Sequence, residues 1–137
     1  NATCPLDNAL FVGAYDMAFV GPDGSAWPGA GGGRSVAETV TLSLVPGATT
    51  LRTFTLGVLP RFGPFGTTIT LEWVCDVVGL QSNFNVGVGC GSPAIFIKQG
   101  TQVAANIMDD SVININWVED GGGCGYSFAE TAVLTKQ

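Results

Sequence analysis

The sequence predicts an all-β fold, an antiparallel β-sandwich of jelly-roll or immunoglobulin-like topology with about nine strands, stapled by disulfides. Three observations carry this. Apolar and polar residues alternate with a period of two through most of the chain. Glycine and proline clusters interrupt the alternation at intervals of about 8 to 12 residues, the rhythm of short strands joined by turns. Helix is disfavoured, because every stretch long enough to hold a 3.6-residue apolar period meets a glycine, a proline or a β-branched run.

The elements follow in order. Leu10 to Val20 reads as a strand with Phe11, Tyr15, Met17 and Phe19 on one face and Val12, Ala14 and Val20 on the other, so it is apolar on both sides. Next, Val40, Leu42 and Leu44 oppose Thr39, Thr41 and Ser43, and Thr53–Leu59 reads as the following strand. The clearest alternation runs from Thr68 to Val77: Ile69, Leu71, Trp73, Cys75 and Val77 point one way, and only Val74 breaks the pattern. Shorter strands are expected at Phe84–Val88, Ala94–Lys98 and Gln102–Ile107. Ile113, Ile115 and Trp117 then oppose Asn114 and Asn116. In the last segment Cys124, Tyr126, Phe128, Ala132 and Leu134 share a face on which Glu130 is the exception. The expected core is Trp73 and Trp117 with Ile69, Leu71, Ile113, Ile115, Phe128 and Leu134.

One region departs from this rhythm. Residues 21–33 hold six glycines and two prolines with little to bury except Trp27, and read as a linker. The chain therefore divides into an N-terminal strand arm (1–20), that linker (21–33) and a β-sandwich body (34–137), one domain overall. Asn1, with no charged and apolar leader before it, is expected to mark a mature end left by a cleaved secretory signal.

Four cysteines, Cys4, Cys75, Cys90 and Cys124, occur with no histidine and no Cys-x-x-Cys spacing, so two structural disulfides in an oxidising compartment are expected. Cys75 and Cys90 lie symmetrically about the turn-rich stretch Gln81 to Phe84. A regular hairpin would place them opposite each other, which predicts Cys75–Cys90 and leaves Cys4–Cys124.

Composition narrows the function classes. The net charge is −6 with only five scattered Lys and Arg, which argues against nucleic acid as a partner. No apolar run reaches the roughly 18 residues of a membrane-spanning helix. Charged residues make up 12% of the chain, against roughly 25% in ordinary soluble domains, and mean hydropathy is positive. Such a chain either clothes its surface in Ser, Thr, Asn and Gln or covers part of it with neighbouring copies.

Catalysis finds little support. The absence of histidine removes Ser-His and Cys-His mechanisms, and the carboxylates Asp109, Asp110, Glu119 and Asp120 bracket a single strand, where turn formation is their usual role. A calcium site from Asp109, Asp110 and Asp120 is a candidate, resting on loops converging at one end of a sandwich. Trp27 is the one tryptophan off the alternating faces, and so the candidate contact for a carbohydrate. No cofactor is expected.

The function expected is that of a non-enzymatic, secreted structural protein: a subunit of a self-assembling filament, coat or surface layer that associates into a homopolymer. Residues Phe11, Tyr15, Met17 and Phe19 form the assembly arm, entering the sheet of an adjacent copy by strand exchange. The alternative is a secreted carbohydrate-binding module.

Overall fold

In the computed structural model, residues 4–20, 37–59, 63–125 and 127–137 are described. The linker 21–33 and Trp27 lie outside them.

The all-β expectation holds: among the described residues the strands pair antiparallel, ten of them where about nine were expected, with a single 3-10 turn at Gly122–Cys124. The strands are β1 (Gly13–Val20), β2 (Ala37–Leu44), β3 (Leu51–Leu59), β4 (Gly63–Val74), β5 (Val77–Leu80), β6 (Phe84–Asn85), β7 (Phe96–Gln99), β8 (Val103–Ala104), β9 (Val112–Asp120) and β10 (Ser127–Lys136). They form one hydrogen-bonded sheet in the order β6-β7-β9-β10-β1-β2-β3-β4-β5-β8.

The expected two-sheet sandwich takes the form of a single curled sheet, and β2 is its corner. Its residues Ala37–Leu42 pair with β1, whereas Ser43 and Leu44 pair with β3, so one strand passes the ladder from one half to the other. The curl brings β5 and β8 back over β9, which gives the sheet an enclosed face. Period two then sorts the side chains. Tyr15, Met17 and Phe19 of β1, Ile69, Leu71 and Trp73 of β4, Ile113, Ile115 and Trp117 of β9, and Ala132 and Leu134 of β10 all lie in one buried cluster. Each large apolar side chain placed there contributes roughly 1.5–3 kcal/mol relative to exposure. Both edge strands, β6 and β8, are only two residues long, which leaves little open ladder for unwanted pairing.

Three expectations about strands and core are corrected, and the disulfide pairing with them. First, the strand expected from Thr68 to Val77 ends at Val74, the residue that broke its alternation. Val74 pairs with Val77 across a two-residue turn in which Cys75 has φ 51°, so Cys75 is a hairpin apex. The split adds the tenth strand and moves the hairpin centre away from Gln81 to Phe84.

The disulfides change as a result. Cys75 at its apex meets the N-terminal segment, and the bonds are Cys4–Cys75 and Cys90–Cys124. The second clamps the loop after β6 to the turn before β10, where Gly123 N–H donates to the Pro93 carbonyl at 2.9 Å. Only glycine fits beside that bond: a Cβ on Gly122, which has φ 54°, would lie 2.5 Å from the Pro93 oxygen.

Second, Phe128 is 37% exposed rather than core. The β1 ladder reaches along β10 only from Lys136 to Thr131, so Phe128 lies beyond the last β1 neighbour. Third, the strand at Leu10–Val20 begins at Gly13, because Phe11 takes a left-handed φ of 59° that breaks regular pairing.

Candidate functional sites

The segment read as an arm is here the middle of the sheet. Along six residues β1 pairs with β10, from Tyr15↔Lys136 to Val20↔Thr131, and along six it pairs with β2, from Gly13↔Leu42 to Ala18↔Ala37. The four aromatic and sulfur-bearing residues expected to mediate assembly, Phe11, Tyr15, Met17 and Phe19, are all buried. Phe11 packs against Trp73 with ring centroids 4.8 Å apart, and Phe19 against Trp117 at 5.6 Å, so the two ends of the segment engage the two core tryptophans.

Residues 4–11 are held by a receptor made of polar groups from the rest of the chain. Arg52, on the inner face of β3, is wholly buried. Its Nε and Nη2 donate to the Leu10 carbonyl at 3.3 and 3.0 Å, Nη2 to the Asp7 carbonyl at 3.0 Å, and Nη1 to the Leu51 carbonyl at 2.8 Å. A buried cation satisfied by carbonyl oxygens is costly unless every bond is kept, and most of these acceptors belong to residues 7–10. Burial pulls the Arg52 pKa down, with nearby Tyr15 opposing the shift. The Leu6 amide donates to the Thr49 carbonyl, the Phe11 amide to the Asp110 carboxylate at 3.2 Å, and the Tyr15 hydroxyl to the Asp110 carbonyl at 2.7 Å. Burial first, then the Asp110 carboxylate, pushes the Tyr15 pKa up to about 12, with Arg52 acting the other way. The Cys4–Cys75 disulfide completes the attachment. Arg52 was not legible as a site residue: it occupies an inward position on a strand, and only the contacts reveal its partners.

The calcium candidate is not assembled. Asp109 and Asp110 precede β9 and Asp120 ends it, so a nine-residue strand of roughly 30 Å separates them. Each has other partners. Asp110 pairs with Lys136, which is the main reason its carboxyl titrates below the usual range; Asp120 pairs with Lys98 at 2.6 Å and is lowered mainly by that contact. Asp109 is lowered by the Ser111 hydroxyl and amide, which both donate to it. No group of three metal-ligating side chains occurs among the described residues.

Two carboxylates lie in the core: Glu119, expected as a turn former at a strand end, and Glu130, the exception on an apolar face. Glu119 is fully buried on β9 and Glu130 nearly so on β10, and Glu130 accepts a hydrogen bond from Trp117 Nε1 at 3.1 Å. The signal was present: Glu130 was the residue that interrupted an apolar face, and Glu119 continues the spacing of Ile113, Ile115 and Trp117.

A cavity of 140 Å³ lies at the other tryptophan. Phe11, Trp73 and Val78 line it on the core side, and Asn106, Asp109, Ser111 and Asn114 on the solvent side. Trp73 is 1% exposed, and its Nε1–H has no hydrogen-bond acceptor.

Comparison of the chain with protein-family models, with curated proteins and with solved structures finds no match.

Proposed function

We propose that the chain is a non-catalytic structural subunit of an extracellular, self-assembling polymer, in which residues 4–20 complete the sheet of a neighbouring copy. The observation that carries the reading is the position of β1: it ladders on both sides, between β10 and β2, and closes the sheet over the core. The contacts that hold it, from Arg52, Asp110, Trp73 and Cys75, depend on what the arm presents and not on which copy supplies it. Residues 21–36, sixteen in all, join Val20 to Ala37. Extended, that many residues span up to about 53–58 Å, more than the roughly 33 Å length of a ten-residue strand such as β10. The tether is therefore long enough for the arm to leave its own body and enter another. Low charge and positive mean hydropathy favour a surface covered by neighbours, and two disulfides favour an oxidising compartment.

Exchange makes the Cys4–Cys75 bond intermolecular, and this supplies the test. Chains grown in ¹⁴N and ¹⁵N media are mixed in the unfolded, reduced state, refolded together with oxidation, and digested without reduction. Exchange predicts Cys4–Cys75 peptide pairs of mixed isotope content beside a covalent ladder on a non-reducing gel, with the ladder lost in Cys4→Ser. Only like-labelled pairs and a single monomer band would overturn the proposal.

A further inference from the structure

We infer that the cavity beside Trp73 is a binding site for a neutral polyhydroxylated ligand, a single sugar ring or the terminal residue of a glycan. Trp73 lines the cavity, and the Trp73 indole N–H is buried and finds no acceptor, a condition that native structures relieve with water or a ligand. The polar rim is also incompletely used. Asn106 accepts from the Met108 amide through Oδ1, which leaves its amide N–H groups to donate. Asp109 accepts both Ser111 bonds through Oδ1, which leaves its second oxygen to accept. Asn114 lines the cavity with a whole carboxamide.

These groups select the ligand. No group of three metal-ligating side chains meets here among the described residues, which disfavours a metal cation. The Asp109 carboxylate at the rim, in a chain of net charge −6, disfavours an anion. What remains is a molecule whose groups both donate and accept, beside an apolar face that can lie on Phe11 and Val78: a sugar ring carries hydroxyls and a C–H face together. The volume of 140 Å³ is close to that of cavities known to admit one six-membered ring, roughly 150 Å³. A ring seated in the cavity lies beside the indole of Trp73, which is 1% exposed, with the 105–111 turn left in place. The site does not depend on how the arm is assembled, since Phe11 lines it whichever copy provides that residue.

The test uses the full-length ¹⁵N-labelled protein. Trp73→Phe assigns the indole signal, and methyl glycosides of glucose, galactose, mannose and N-acetylglucosamine are titrated to tens of millimolar. The expected result is a saturable shift of the Trp73 indole N–H with at least one glycoside, weakened about tenfold in Asn114→Ala, a solvent-side change that leaves the core intact. An indole proton that contacts only long-lived water, with no glycoside response, would overturn the proposal. So would a response to acetate or sulfate in place of the sugars.

Discussion

The two core tryptophans occupy equivalent places and are treated differently. Each is buried on the inner face of a long strand, Trp73 on β4 and Trp117 on β9, and each packs against a phenylalanine of the N-terminal segment. The Trp117 Nε1–H donates to Glu130, whereas the Trp73 Nε1–H has no partner and its residue lines a cavity. A buried indole paired with a carboxylate locks its neighbourhood, because breaking the pair strands a charge-bearing group in the core. An unpaired indole beside open volume holds its neighbourhood by packing alone. The comparison separates a region built for rigidity from one with room for a ligand.

The largest effect that tests it is truncation. Trp117→Ala should cost about 5 kcal/mol in urea unfolding and Trp73→Ala nearer 3, within the range for large aromatics, since the second change enlarges an existing cavity and removes no hydrogen bond. Equal losses would mean that the Glu130 contact contributes nothing.

A sharper version removes the indole N–H but keeps an aromatic ring at each site. Trp117→Phe should cost about 2–4 kcal/mol more than Trp73→Phe, because Glu130 loses a donor in a buried setting while Trp73 has none to lose. Chemical denaturation of the two variants side by side reads this difference directly.

Tyr15, between the two tryptophans on the strand that links them, offers a pH test. Its folded pKa of about 12 lies above the ordinary phenol value of about 10. A raised pKa on this group contributes stability that is fully present below pH 10 and is lost as the pH climbs through 12. Stability of the wild type should therefore fall across that window, and Tyr15→Phe should flatten the fall while losing about 1 kcal/mol at neutral pH with the bond to Asp110.

The smallest effect concerns Asp110, on the rim of the Trp73 half. Its folded pKa is lowered, chiefly by Lys136. The stability it adds is present above about pH 4 and is lost as the pH drops through the lowered folded value. Lys136→Met should shrink that acid-side loss by less than about 1 kcal/mol, as expected of an ion pair near solvent.

Much of the fold was legible. Ile69, Leu71, Trp73, Ile113, Ile115, Trp117 and Leu134 are core as their alternation indicates, and all four cysteines are bonded. The candidate sites were less so. Glu130 looked like a break in an apolar face, Glu119 like a turn former at a strand end, Arg52 like one of five scattered charges, and Asp109, Asp110 and Asp120 like possible co-ligands, because identity and spacing do not say which inward position will find a partner. Trp27 lies outside the described residues.

By itself the sequence determined the antiparallel β class, the inward face of each long strand and the oxidised state of the cysteines. These follow from period two, from turn chemistry and from an even cysteine count without metal-binding spacing, all of which are local. Tertiary structure alone decided that β2 turns the corner of one curled sheet, that β1 lies at its centre, that Cys4 meets Cys75, and that one tryptophan is paired and the other left open. Each of those rests on contacts between residues far apart in the chain. Moving one hairpin turn from Gln81–Phe84 to Cys75 and Asp76 was enough to re-pair both disulfides, because it changed which distant segments could meet.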